Sequence, residues 1–441
     1  MKRSTIIQII IIIALIVILC IMCKTLIFNN SNEPIASSQQ MGQATSKSAA
    51  NAKGATEITD EQTLNGTYES STADESPIKV SDGGNATIEN ARINKSSGDS
   101  SNTENSEFYG VNAGVLTTEN STTTIKNSKI TTNAKGANAV FATGENAKVY
   151  VSDTEITTSG ASSSRGLDAT YGGYIEANNV KITTQGGSCA TLATDRGEGT
   201  VIAKNSTLET NGAGSPIIYS TGDISIENTT GTAYGAQMTV IEGKNTATVT
   251  NSTLKCSGKG NRNDVDNCGI MIYQSMSGDA GEGTGTFSAS NSTLEITSNS
   301  SYSKTAPLFF ITNTKAVINL ENNTLKYDSG ILLSAKGTSE WGNSGKNGGE
   351  VTLNAVNQNL TGNIEADNIS AVTINLSNNS SLEGKVNTEN SAKSISLKID
   401  SSSTLTLTGD AYVTSLEDSD SSYSNINFNG HKLYVNGTAI N

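Results

Sequence analysis

A chain of 441 residues with 34% hydrophobic and 5% aromatic residues carries little apolar mass for an ordinary globular α/β enzyme of its size. Its Ile, Val and Leu nevertheless recur too regularly for a disordered chain. The net charge of −13 argues against nucleic acid, which requires basic patches, and against docking on anionic lipid; it keeps a long surface soluble.

At the N-terminus Lys2 and Arg3 precede an apolar run from Ile6 to Cys23, interrupted only by Gln8. As a helix this run covers roughly 27 Å, close to the thickness of a bilayer core. Cys20 follows Leu19 and Cys23 follows Met22, so neither has the small residue a bacterial lipoprotein site requires. Residues 1–28 are expected to form an uncleaved transmembrane anchor, with a cleaved signal peptide as the alternative. Lys2 and Arg3 should stay in the cytoplasm, making the protein single-pass in the cell membrane with its bulk extracytoplasmic. Residues 29–63, rich in Ser, Ala and Gln, read as a flexible tether.

From Leu64 the pattern changes. Ile130, Ile156, Ile182 and Leu208 are spaced 26 residues apart, each closing the same phrase, as in Asn127-Ser128-Lys129-Ile130 and Asn205-Ser206-Thr207-Leu208. It returns at Leu254, Leu294 and Leu325. A fixed period of this length means stacked repeats that lean on their neighbours. Each repeat holds three short strand signals separated by Gly, Asn, Asp or Ser. The spacing predicts an all-β, right-handed parallel β-helix with three strands per coil, with coils over 64–350 and closing rungs and cap over 351–441. The interval of 46 residues from Leu208 to Leu254 suits two coils of 23. The longer single intervals place insertions at 257–267, 277–285 and 336–349, and insertions on a repeat scaffold mark an interacting face.

Cys256 and Cys268 flank the first insertion and could close it as a disulfide outside the cytoplasm. Cys189 reads as a small buried side chain. No spacing suits zinc, and the chain has one His, His431. No cofactor is expected.

For the surface, Ala142, Ala169 and Ala193 are placed in one inward column, with Thr143, Thr170 and Thr194 stacked outward beside it. Arg165, Tyr171, Tyr174, Asp195 and Arg196 would then gather at one corner, with Tyr219 and Tyr273 extending the row and Trp341 in the third insertion. Aromatic and charged groups on a strand surface suit sugar rings, whose apolar faces stack while their hydroxyls bond.

The three-strand coil, the Asn-Ser-Thr-Leu turns and the insertions resemble the pectate-lyase-like right-handed parallel β-helix superfamily. The closing stretch Ser396–Val413 with Asn429–Val435 is similar to the last rungs of adhesin-like bacterial surface proteins. This resemblance implies an adhesin or glycan-contacting protein whose partner is a polysaccharide, a cell-surface glycan or another surface protein. Hydrolase members of the superfamily have paired Asp, a Gly-His-Gly turn and an Arg-x-Lys strand; here His431 stands in Asn429-Gly430-His431-Lys432 and no Arg-x-Lys occurs. Arg262, Asp264 and Asp266 could share a face and hold Ca²⁺ only if the chain is a divergent lyase. No catalytic residue is assigned. A structural envelope spacer and a divergent polysaccharide lyase or hydrolase remain alternatives.

Overall fold

The computed structural model describes residues 52–262 and 264–441. The expected anchor, and the tether up to residue 51, lie outside them. Among the described residues no helix is long and apolar enough to cross a membrane.

The protein is all-β apart from one short helix, with parallel strands stacked into long sheets in the manner of a β-helix. Sheet A contributes one strand per coil and holds 12 strands, from Lys53–Ile58 to Asn363–Ala366. Sheet B holds 22 strands and takes two per coil, as in Lys148–Ser152 and Glu155–Thr158. The second of these columns continues in a separate 4-stranded sheet beginning at Asn359–Thr361. Three strands per coil is therefore the arrangement observed.

The first strand starts at Lys53, before the boundary expected at 64. Its burial explains why it reads as tether: of Lys53–Ile58 only Ile58 faces the core fully, so no apolar alternation shows. Sheet B also runs through residue 350 without a break, because Gly349–Val356 pairs with Thr314–Glu321 on one side and Ala371–Ser377 on the other. The chain closes with Leu433–Val435 turning antiparallel onto Thr438–Ala439.

The repeat spacing translates directly into register. Ile130, Ile156, Ile182 and Leu208 lie opposite one another on successive strands, and all are buried in one continuous core. Each such side chain contributes about 1.5–3 kcal/mol by leaving water. The 46-residue interval is two coils, with Gly231 standing in the column between Leu208 and Leu254. A Cβ at Gly231 would fall 2.7 Å from a Leu254 methyl and 2.9 Å from one of Ile217, so neighbouring coils already fill that space. Leu254 to Leu294 and Leu294 to Leu325 are single coils.

The Asn-Ser phrase has two jobs. Asn127, Asn179, Asn205, Asn228 and Asn251, with Asp153, take positive φ of 47–54°, a left-handed conformation that Asn and Asp tolerate and that turns one strand into the next. The following hydroxyl joins coils. Ser206 Oγ donates to its own Lys204 carbonyl (2.6 Å) and accepts from the N–H of Val180 in the preceding coil (3.2 Å). Thr229, Ser252 and Ser292 repeat the arrangement. Backbone groups that a sharp turn would leave unpaired are satisfied in this way.

Candidate functional site

The outer face of sheet A carries the densest chemistry. One column of facing residues there reads Leu116, Phe141, Asp168, Ala193, Tyr219, Val240, Met271 and Phe310. A bare outer strand surface would be solvated, yet most of this column is buried. Two insertions cover it.

The first cover is helix α1, Thr103–Tyr109, capped by Asn102 and ended by Gly110 at φ 67°. Its Phe108 carbonyl lies 2.8 Å from the Thr170 hydroxyl, which is also 2.9 Å from that of Thr143. Thr143 and Thr170 are therefore buried under the helix instead of forming an exposed ladder. The column assignment also needs correction beyond this point. Ala142 faces Ala169, but Ala169 faces Thr194, and Ala193 lies opposite Asp168 on the outer side. The interval is 27 residues in one coil and 25 in the next, and an odd difference moves side chains to the other face.

Under α1 sits a buried ionic cluster. Arg165 Nη1 is 2.7 Å from Asp168 Oδ2 and 2.7 Å from Asp195 Oδ2. Its guanidinium is 5.7 Å from the centre of the Tyr219 ring. Burial pushes the Asp195 carboxyl up to about 7 despite Arg165, and pushes Asp168 up as well. Burial opposes the Arg165 charge, but Asp168 and Asp195 outweigh it and hold its pKa above the ordinary value. Asp168 Oδ1 has no hydrogen-bond partner. Beside the cluster, Tyr171 stacks on Tyr109 with ring centres 5.3 Å apart, and Arg196 lies 4.0 Å over Phe108 while pairing with Asp279 at 2.6 Å. The expected corner is thus divided. Arg165 and Asp195 join Tyr219, and Tyr171 and Arg196 clamp α1. Tyr174 sits elsewhere, on the outer face of sheet B beside Tyr150.

The second cover is the 336–349 insertion, which brings Trp341 down onto Tyr273 edge-on at 5.2 Å. Trp341 is only 8% exposed, so it is not the free surface residue the sequence suggested. It packs with Val240, Met271, Phe310 and Cys268. The Tyr219 and Tyr273 phenols both donate to Glu242 Oε2, at 3.0 and 2.8 Å, and the Ser275 hydroxyl reaches Oε1. Burial raises both phenols well above their ordinary pKa, so they stay protonated donors. A cleft of about 110 Å³ remains between the two insertions, lined by Tyr219, Tyr273, Trp341, Arg262, Asn261 and Gln237 among others.

The acidic residues of the 257–267 loop serve the loop itself. Asp266 accepts from the backbone N–H groups of Arg262 (2.8 Å) and Asn261 (2.9 Å). Asp264 turns at φ 65° and accepts from the Asn267 side chain (3.0 Å). They do not face one another beside Arg262. Among the described residues no group of three or more acidic, Cys or His side chains is arranged around a common metal position.

Cys256 and Cys268 are free thiols, not the disulfide expected from their flanking positions. Cys256 packs in the main core and Cys268 in the outer cluster around Trp341. Each acts as a small apolar side chain on its own side of the coil wall. Cys189 is free and buried, as its composition context suggests.

Sequence reasoning missed α1, Asp168, Glu242 and Tyr150. Only the helix left a legible signal: Asn102 and Gly110 are standard stop and start residues around a seven-residue segment. No family model matches the chain, and neither a curated protein nor a solved structure matches it.

Proposed function

We propose that this protein is a surface-displayed, right-handed β-helix of the pectate-lyase-like kind that binds glycans without cleaving them, held outside the cytoplasm by its N-terminal segment. The observation that carries this reading is the cleft between the insertions. Two phenol rings and one indole converge there, and Glu242 fixes both phenols in place. Rigid aromatic walls suit the apolar C–H faces of a sugar ring, while Asn261, Gln237 and Arg262 at the margin offer partners for hydroxyls. At about 110 Å³ the cleft is well below the size of a drug-sized site. It fits the terminal residue of a glycan and not an internal stretch of chain.

Binding without catalysis follows from how the carboxylates are used. Asp168 and Asp195 are buried and committed to Arg165, Glu242 to two phenols, and Asp266 to its own loop. None is presented to the cleft with a partner carboxylate at a set separation, as glycoside cleavage requires.

The test is a glycan array probed with the full-length chain, clustered to gain avidity. Binding to a defined set of terminal sugars, reduced at least tenfold by Arg262→Ala with unchanged thermal unfolding, is the expected result. A blank array, or wild-type binding by the variant, favours the structural-spacer reading. New reducing or unsaturated ends in a bound polysaccharide would overturn the non-catalytic one.

A further inference from the structure

We propose that the outer face of sheet B carries a second sugar-contact surface, a flat platform built from Tyr150 and Tyr174. It takes its ligand class from the reading above but shares no residue with the cleft.

The strands Lys148–Ser152, Tyr174–Asn178 and Thr200–Lys204 lie side by side in register, with Tyr150 opposite Glu176 and Glu176 opposite Ile202. In neighbouring coils the same outward column holds Thr124, Ser225 and Thr248. The column is thus small and hydroxylated except here. Tyr150 is 39% exposed, one of three exposed large hydrophobic residues among those described. Its ring centre lies 6.1 Å from that of Tyr174.

A single exposed Tyr needs no explanation. This pair is different because it is held in place. The Tyr174 phenol donates to Glu176 Oε2 (2.9 Å), and Lys204 Nζ donates to Glu176 Oε1 (3.2 Å). Both carboxylate oxygens are occupied and the Tyr174 ring cannot swing away. Lys148, directly opposite Tyr174, has no ion-pair partner among the described residues. The result is a level patch of two fixed rings and the half-buried Ile202, edged by donors and an acceptor.

That combination selects its occupant. Two rings and one aliphatic side chain fall far short of the roughly 800 Å² per partner that a stable protein interface needs, which disfavours a second copy of the chain. Both signs of charge edge the patch, so it lacks the basic character that nucleic acid requires. A neutral polysaccharide chain lying flat matches it: alternating apolar faces stack on rings, and equatorial hydroxyls reach Lys148 and Glu176. A flat surface also accommodates internal residues of a polymer, where the cleft accepts only an end. One chain could therefore hold a glycan at two places and gain avidity.

The experiment uses the full-length protein and insoluble cellulose, chitin and mannan, with the soluble hexaoses of each as competitors. Trp341 is the only Trp and lines the cleft, so its fluorescence reports cleft occupancy independently of retention on the solid. The proposal expects retention on at least one polysaccharide, reduced tenfold or more by Tyr150→Ser and several-fold by Tyr174→Phe, which keeps the ring but frees it. The Trp341 response to soluble hexaose should be unchanged in both variants. Wild-type retention by Tyr150→Ser overturns the platform. So does a wild-type protein that no solid retains but whose Trp341 responds to hexaose, an outcome that leaves the cleft reading standing. If neither retention nor a Trp341 response is seen with any of these sugars, both readings fall.

Discussion

Arg165 and Asp195 meet at 2.7 Å with side chains only 8% and 6% exposed. Asp168 takes a second position on the same guanidinium nitrogen, so one cation holds two carboxylates in place beneath helix α1. A buried pair of this kind contributes little over an apolar replacement, but removing one partner strands the other charges. Arg165→Ala is expected to cost about 3–5 kcal/mol. Urea unfolding should show the midpoint falling with the slope unchanged; a change under about 1 kcal/mol would mean water enters the cluster.

The same cluster makes stability depend on pH. Burial lifts Asp195 from 3.8 to about 7, so the folded state binds a proton that the unfolded chain releases. Its contribution is complete below about 3.8 and is lost as pH rises through about 7. The melting temperature should therefore fall between pH 5 and 8, and Asp195→Asn should flatten that slope. Asp400 acts in a different window. Its burial works upward, but the N–H of Asn378 and the Ser403 and Ser402 hydroxyls outweigh it and bring it down to about 2. Its contribution is present above 3.8 and lost as pH falls through about 2, outside the range scanned.

Register can be checked with two adjacent positions. Ile156 is fully buried and Thr157 points outward. Ile156→Asp places an unpaired charge in the core and should destabilise by more than about 4 kcal/mol. Thr157→Asp should stay within about 0.5 kcal/mol. Equal effects would place the inward face one residue off.

Cys256 and Cys268 should behave as protected thiols. Burial pushes Cys256 up to about 12 and Cys268 higher, so neither forms thiolate at neutral pH. Mass spectrometry after alkylation of the native protein should find both unmodified, and both labelled after unfolding. Reductant should leave the melting temperature unchanged; a drop would mean the bond forms after all.

Trp341 should report the packing of the third insertion. Pressed edge-on against Tyr273 and 8% exposed, it should emit at short wavelength and resist a soluble quencher. Tyr273→Ser removes its partner and a donor to Glu242, and should shift emission to the red and raise quenching several-fold.

The sequence by itself determined the coil. Period and turn chemistry are local, so Ile130, Ile156, Ile182 and Leu208 could be stacked, the 46-residue interval divided into two coils, and the Asn-Ser turns recognised, all from spacing. The column of Ala142, Ala169 and Ala193 failed because it depended on turn lengths that differ by two residues, and side-chain facing alternates with every residue. Only the tertiary structure decided the outer face. Whether a Tyr, Trp or Asp on a strand meets water depends on which distant insertion lies over it. Helix α1 is far in sequence from Asp168 and Asp195, and the 336–349 loop is far from Tyr219. Such contacts are fixed by coil stacking and have no periodic signature, so Tyr171 and Trp341 read as surface residues while the fold turns them into the underside of a cover.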